Sequence, residues 1–232
     1  MAKRMDVKFL PNGDRAVSVV FPNEISNEVS CCVLAMCAAI DAAPLMGIVN
    51  CIPAYHTLLV EYDPSLLTYG QTVSWLRGLS FEDSIVNTNR IVSLPVCYGG
   101  IYGPDLDAVA SYTGMSASEV IRLHTEGSYR VYMLGFRPGF PYLGGLDAQL
   151  ATPRKNTPRA HVEGGSVGIA GHQTGVYPEA SPGGWNIIGR TPIRLYDERT
   201  HALLRPGDTL RFVSIDAHTY EEILEKGGWS LW

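Results

Sequence analysis

Gly135-Phe-Arg-Pro-Gly-Phe-Pro-Tyr-Leu-Gly-Gly-Leu146, Pro153-Arg-Lys-Asn-Thr-Pro-Arg159, Gly164-Gly-Ser-Val-Gly-Ile-Ala-Gly-His-Gln-Thr-Gly-Val-Tyr-Pro178 and Ser181-Pro-Gly-Gly-Trp-Asn-Ile-Ile-Gly-Arg-Thr-Pro192 decide the fold of this 232-residue chain. Residues 135 to 192 hold 12 of the 24 glycines and 7 of the 15 prolines. Helices do not tolerate that density, because glycine is entropically costly in a helix and proline removes an amide donor. What remains is short strands joined by tight turns: Tyr129 to Leu134, Ser166 to Ala170, Asn186 to Ile188, Ile193 to Tyr196 and Thr209 to Val213. The pattern predicts a compact β-barrel with functional loops.

Upstream of the barrel the spacing changes to helical. A strand over Ile91 to Val96 leads into the loop Tyr98-Gly-Gly-Ile-Tyr-Gly-Pro104. Two short helices follow, one from about Asp105 to Gly114 and one starting at Ser116, with Glu119 completing a capping box. Residues 81 to 90 are polar and read as a linker.

The first eighty residues alternate strands and helices in the order ββαββα. Val7 to Leu10 and Ala16 to Val20 flank a Pro11-Asn-Gly-Asp14 turn. Ser26 caps a helix that Pro44 ends, Ile48 to Ile52 and Thr57 to Tyr62 are β-rich, and Asp63-Pro64 offers the start of a second helix. The expected architecture is therefore an N-terminal α+β domain over 1–84, with two helices on a four-stranded sheet, followed by a β-barrel domain over 85–232. A short helix over Tyr220 to Lys226 completes it.

Composition narrows the function. The formal charge is −5 with no run of Lys or Arg, which argues against a nucleic-acid binder. No window approaches the roughly 18 to 20 apolar residues of a membrane span, and the polar start is unlike a signal peptide, so the chain is expected in the cytoplasm. The five cysteines, Cys31, Cys32, Cys37, Cys51 and Cys97, lack metal-ligand spacing and read as reduced core residues. No metal site of the chain's own is expected.

Residues 135 to 190 carry five basic side chains against three acidic ones, a local +2 within a chain of −5. Such a reversal suggests an anion site, since arginine offers a planar fork of donors and glycine loops let backbone amides approach a ligand. Arg137, Arg154, Arg159 and Arg190 are the candidate donors to carboxylate or phosphate. Phe136, Phe140, Tyr142, Tyr177 and Trp185 are candidate apolar walls, and Thr174, Ser181, Gly183 and Gly184 lie in the same loops. His172 and Gln173, expected at a barrel mouth, are candidates for proton transfer, with Arg190 as a third catalytic candidate. The competing reading is that glycine and proline merely shape barrel corners while the aromatics fill a core. Ser181 lacks the Gly-x-Ser-x-Gly frame of a nucleophile elbow, and Gly164-Gly-Ser-Val-Gly168 lacks the lysine of a P-loop.

These segments, with Tyr98-Gly-Gly, Gly103-Pro-Asp-Leu106 and Pro53-Ala-Tyr-His-Thr-Leu-Leu-Val-Glu-Tyr-Asp-Pro64, resemble the family of the 5-oxoprolinase B subunit over about residues 6 to 215. That family is also known for a sporulation kinase A inhibitor and for the allophanate hydrolase subunit 1 domain. The resemblance implies that the barrel is cyclophilin-like. It further implies that the chain acts with subunits A and C to cleave 5-oxoproline to glutamate using ATP, with Mg²⁺ accompanying the nucleotide in the complex. The alternative it implies is an inhibitor that binds a sensor histidine kinase. Ile101 and Glu163-Gly164 depart from the family's usual Glu after Tyr-Gly-Gly and Pro-Ala before Gly-Ser-Val. A lone subunit that exposes its docking face is also expected to form homo-oligomers.

Overall fold

The computed structural model describes residues 6–80 and 90–231. The chain divides into two compact units, Met1–Thr88 and Asn89–Trp232. The boundary expected at 84/85 falls within residues 81–89 and so lies outside the described residues.

In the first unit, strands β1 (Lys8–Pro11), β2 (Ala16–Val20), β3 (Ile48–Pro53) and β4 (Thr57–Tyr62) form an antiparallel sheet in the order β1-β2-β4-β3. Helices α1 (Asn27–Ala42) and α2 (Tyr69–Gly78) supply apolar side chains to the core built on that sheet. The alternation of the strands decides which residues enter it: Val17, Val19, Leu58 and Val60 are fully buried with Met36 and Leu76 of the helices. Ser26 caps α1 by accepting from the Val29 amide at 3.2 Å, as the sequence predicts. The second helix starts later than expected. Asp63 is turned to the Ser65 amide at 2.9 Å in a local turn, and Thr68 instead forms a capping box with Gln71.

The second unit is a closed seven-stranded barrel. Its strands are β5 (Ile91–Tyr98), β6 (Tyr129–Leu134), β7 (Pro141–Gly144), β9 (Ser166–Ala170), β10 (Gln173–Val176), β12 (Asn186–Arg190) and β15 (Thr209–Ile215), in the order β10-β7-β6-β15-β5-β12-β9. Strands β5 and β15, the first and last of the barrel, pair in parallel from Ile91↔Thr209 to Cys97↔Ile215, while the other barrel pairs are antiparallel. Between β5 and β6 lie α3 (Leu106–Thr113), ended by Gly114 at φ 73°, and α4 (Ala117–Glu126). Val109 and Val120 of these helices share the core with Val92, Leu94, Val167, Ile169, Val176 and Ile188 of the strands. Ser116 caps α4, but the Glu119 carboxylate is turned to Arg122, so the expected box is only half made.

Two ribbons lie outside the barrel: β8 (Arg159–Val162) with β11 (Ser181–Gly183), and β13 (Tyr196–Asp197) with β14 (His201–Ala202). The strand expected over Ile193 to Tyr196 is thus only its last residue. Helix α5 (Ala217–Lys226), capped by Asp216, starts three residues earlier than the sequence suggests. Among the described residues no helix is long and apolar enough to cross a membrane.

Candidate functional site

Strands β9 and β10 alternate between two environments. Val167, Ile169, Thr174 and Val176 point into the barrel, whereas Gly168, Ala170, Gly175 and Tyr177 form its outer wall. Gly168 and Gly175 are register partners, and their lack of side chains leaves a shallow floor. A Cβ on Gly175 would meet Phe140 and Trp185 at 3.0 Å. On that floor sits a second hydrophobic layer of Phe140, Val162, Ala170, Tyr177, Trp185 and Ile187, with Tyr142 packed against it. The Phe140 ring is its centre, edge-on to Tyr142, Tyr177 and Trp185 at centroid distances of 5.2, 5.5 and 5.6 Å. Phe140, Tyr177 and Trp185 are 2%, 2% and 6% exposed, so they are the packed support of the site and not its open walls.

Asp105 organises the cationic loop beside this layer. Its carboxylate is buried and accepts two parallel bonds from Arg159, both 2.7 Å, one from Lys155 at 2.9 Å and one from the Ile187 amide at 2.7 Å. Burial alone would raise its pKa, but the hydrogen bonds from Arg159, Lys155 and Ile187 outweigh it and hold the carboxyl below the usual range. Loop 153–159 is fixed further by the Lys155 amide bonding to the Gly184 carbonyl at 2.8 Å and by the Asn186 amide bonding to the Pro153 carbonyl at 2.8 Å. Arg154 is carried on this pinned loop, exposed, with its guanidinium 5.9 Å from the Trp185 ring. The buried Tyr177 phenol next to it feels both Arg154 and Arg159, yet burial dominates and keeps it protonated.

The expected arginines do not all converge. Arg159 is committed to Asp105. Arg137 makes an exposed pair with Glu179 at 3.3 Å and adds little there. Arg190 lies beside the Tyr220 phenol of α5, near Cys97 and Tyr102, and its Nε is buried without a partner among the described residues. Arg154, exposed and close to the Trp185 ring of the aromatic layer, has no carboxylate partner among the described residues and can offer donors to an incoming anion.

The remaining candidates divide in the same way. His172 is exposed in the two-residue turn between β9 and β10, at one end of the barrel, and Gln173 is the first residue of β10. Ser181 is buried in β11. Gly183 must be glycine because a Cβ there would collide with the Tyr177 phenol, and Gly184 supplies the carbonyl for Lys155. Thr174 is fully buried, donating to the Gly168 carbonyl at 3.1 Å and accepting from His124 at 2.9 Å. That bond fixes the rest of the chain. His124 Nε2 carries the proton, so Nδ1 accepts from the Tyr98 hydroxyl at 2.8 Å. Burial pushes His124 down to about 3, and the neutral ring stacks on Phe212 at 4.5 Å.

Sequence reasoning missed Asp105 and His124 as site organisers. Asp105 stands where a helix cap is expected, and no capping bond is made by its side chain. His124 follows Val120 at i+4 on the apolar side of α4, a spacing that marks it as interior. Among the described residues no three His, Cys, Asp or Glu side chains gather as metal ligands.

A closed barrel with an arginine-bearing outer wall, preceded by an α+β unit, defines the class: the model of the carboxyltransferase domain, subdomain C and D, matches residues 7–204. The chain is 45% identical to the 5-oxoprolinase B subunit of Bacillus subtilis over 90% of this chain and 95% of that protein. It is also 45% identical to the 5-oxoprolinase B subunit of Escherichia coli O157:H7 over 72% of this chain and 78% of that one. The crystal structure of TTHA0988 superposes with a TM-score of 0.79 at 41% identity, over 88% of this chain; the chain spans only 40% of that longer one. The chain belongs to the family of the 5-oxoprolinase B subunit, within the carboxyltransferase-domain proteins.

Proposed function

We propose that this chain is the B component of an ATP-dependent 5-oxoprolinase, working in the cytoplasm with subunits A and C to open 5-oxoproline to glutamate. The near full-length similarity to the Bacillus subtilis protein carries this reading. The barrel is then of the cyclophilin-like type, used as a binding scaffold and not as an isomerase. A lactam is a poor electrophile, and ATP-dependent opening activates its carbonyl oxygen by phosphorylation before water attacks. Both the substrate carboxylate and the phosphate are anions, so a fixed cation is required. Arg154 is suited to that role, because the Asp105 cluster immobilises its loop and Trp185 backs its guanidinium. Mg²⁺ enters with ATP in the complex.

The test is reconstitution. Purified chain mixed with subunits A and C and supplied with ATP and 5-oxoproline is expected to release glutamate, and Arg154→Ala to lower that rate at least about tenfold without changing the thermal midpoint. A mixture that runs equally well without this chain overturns the proposal. Suppression of a sensor kinase's autophosphorylation by the chain, with no glutamate formed in the mixture, would establish the inhibitor reading in its place.

A further inference from the structure

The first unit contains a pair of thiols that the proposed reaction does not use. Cys37 on α1 and Cys51 on β3 have their Sγ atoms 3.2 Å apart, and both are half-buried. They line a concavity of about 330 Å³ together with Asp41, Pro44, Leu45 and Ile48. Cys32 and Cys97, by contrast, are buried in apolar surroundings.

We propose that Cys37 and Cys51 are an oxidation site at which a peroxide closes a reversible disulfide between α1 and β3. Three features carry this. The sulfurs need approach by only about 1.2 Å to reach the bond length of a disulfide. The concavity admits a small oxidant to them. The two thiols share a hydrogen bond that either sulfur can donate; this contact lowers the Cys37 pKa and raises that of Cys51, which makes Cys37 the attacking sulfur and Cys51 the resolving one.

The chemistry balances in two steps. The Cys37 thiolate attacks one oxygen of hydrogen peroxide, breaking the O–O bond to give a sulfenic acid and, after protonation, one water. The Cys51 sulfur then attacks the Cys37 sulfur, forming the S–S bond and expelling the hydroxyl, which leaves as a second water with the Cys51 proton. Peroxide is reduced by two electrons and the dithiol is oxidised by two. A thiol reductant reverses the step by exchange.

The reduced full-length chain, treated with hydrogen peroxide, blocked with iodoacetamide and digested without reductant, should yield one linked peptide pair. That pair joins Cys37 to Cys51, lacks two hydrogens and disappears after dithiothreitol. Cys37→Ser should leave Cys51 alkylated, and Cys51→Ser should leave Cys37 trapped as sulfenic acid, reactive with dimedone. Separate alkylation of Cys37 and Cys51 in the treated wild type overturns the proposal, and so does linkage of either to Cys31, Cys32 or Cys97. The wild-type digest decides the matter even if a serine variant folds poorly.

Discussion

Asp105 keeps its charge in the interior because Arg159 and Lys155 keep theirs beside it. Arg159→Ala strands a buried carboxylate with one remaining cation, and is expected to cost about 2 to 3 kcal/mol in denaturant unfolding, discounted from a fully buried pair because Arg159 is partly exposed. Arg154→Ala removes a side chain with no ion pair among the described residues, and should change stability by less than about 0.5 kcal/mol. A similar loss in both variants would refute this division of labour. It could not be read from the sequence. Five basic residues in glycine-rich loops announce an anion site, but only the folded chain shows that the anion for two of them is its own Asp105, distant by 50 residues from Lys155. The aromatic positions were legible as a group, whereas their burial depends on the glycine floor of Gly168 and Gly175.

Among the elements, those with strong periodicity or caps were legible and those built from glycine were not. Helix α1 with its Ser26 cap and strands β2, β4, β6 and β9 sit where alternation and capping put them. Strands β7, β8, β10 and β11 escaped, because Pro141-Tyr-Leu-Gly144 or Ser181-Pro-Gly183 has little intrinsic β preference and is held by pairing and packing. The start of α2 shows a similar limit: Asp63-Pro64 and Thr68 with Gln71 are both plausible starts, and packing of Leu67 into the core selects the later one. Thr68→Ala should therefore destabilise the first unit by about 1 kcal/mol, measured by urea unfolding. In the barrel, a Cβ at Gly103 would run into the Ile188 carbonyl oxygen, where the loop after β5 crosses β12. Gly103→Ala should cost about 3 kcal/mol or more, and retention of the wild-type melting temperature would show that the loop yields.

Across the whole molecule, the buried neutral His124 couples stability to acid. Its unfolded value is about 6.5 and its folded value about 3, so between these pH values the unfolded chain holds a proton that the folded chain does not. Stability from this residue is complete above about pH 6.5 and falls by about 1.4 kcal/mol per unit as the pH drops toward 3. Asp105 adds the same sign only lower down, since a depressed carboxyl loses its contribution as pH falls below its unfolded value of about 3.9. Unfolding curves at pH 7, 6 and 5 should show the slope, which His124→Phe should flatten; an unchanged slope would assign it elsewhere. The parallel seam of β5 with β15 has a consequence for biosynthesis. A ribosome must deliver Ile215 before the cylinder can shut, so the nascent barrel stays open with its apolar lining exposed long after residues 8–78 have all they need to collapse. Chains halted before Thr209 are thus expected to be bound by chaperones through their barrel half alone.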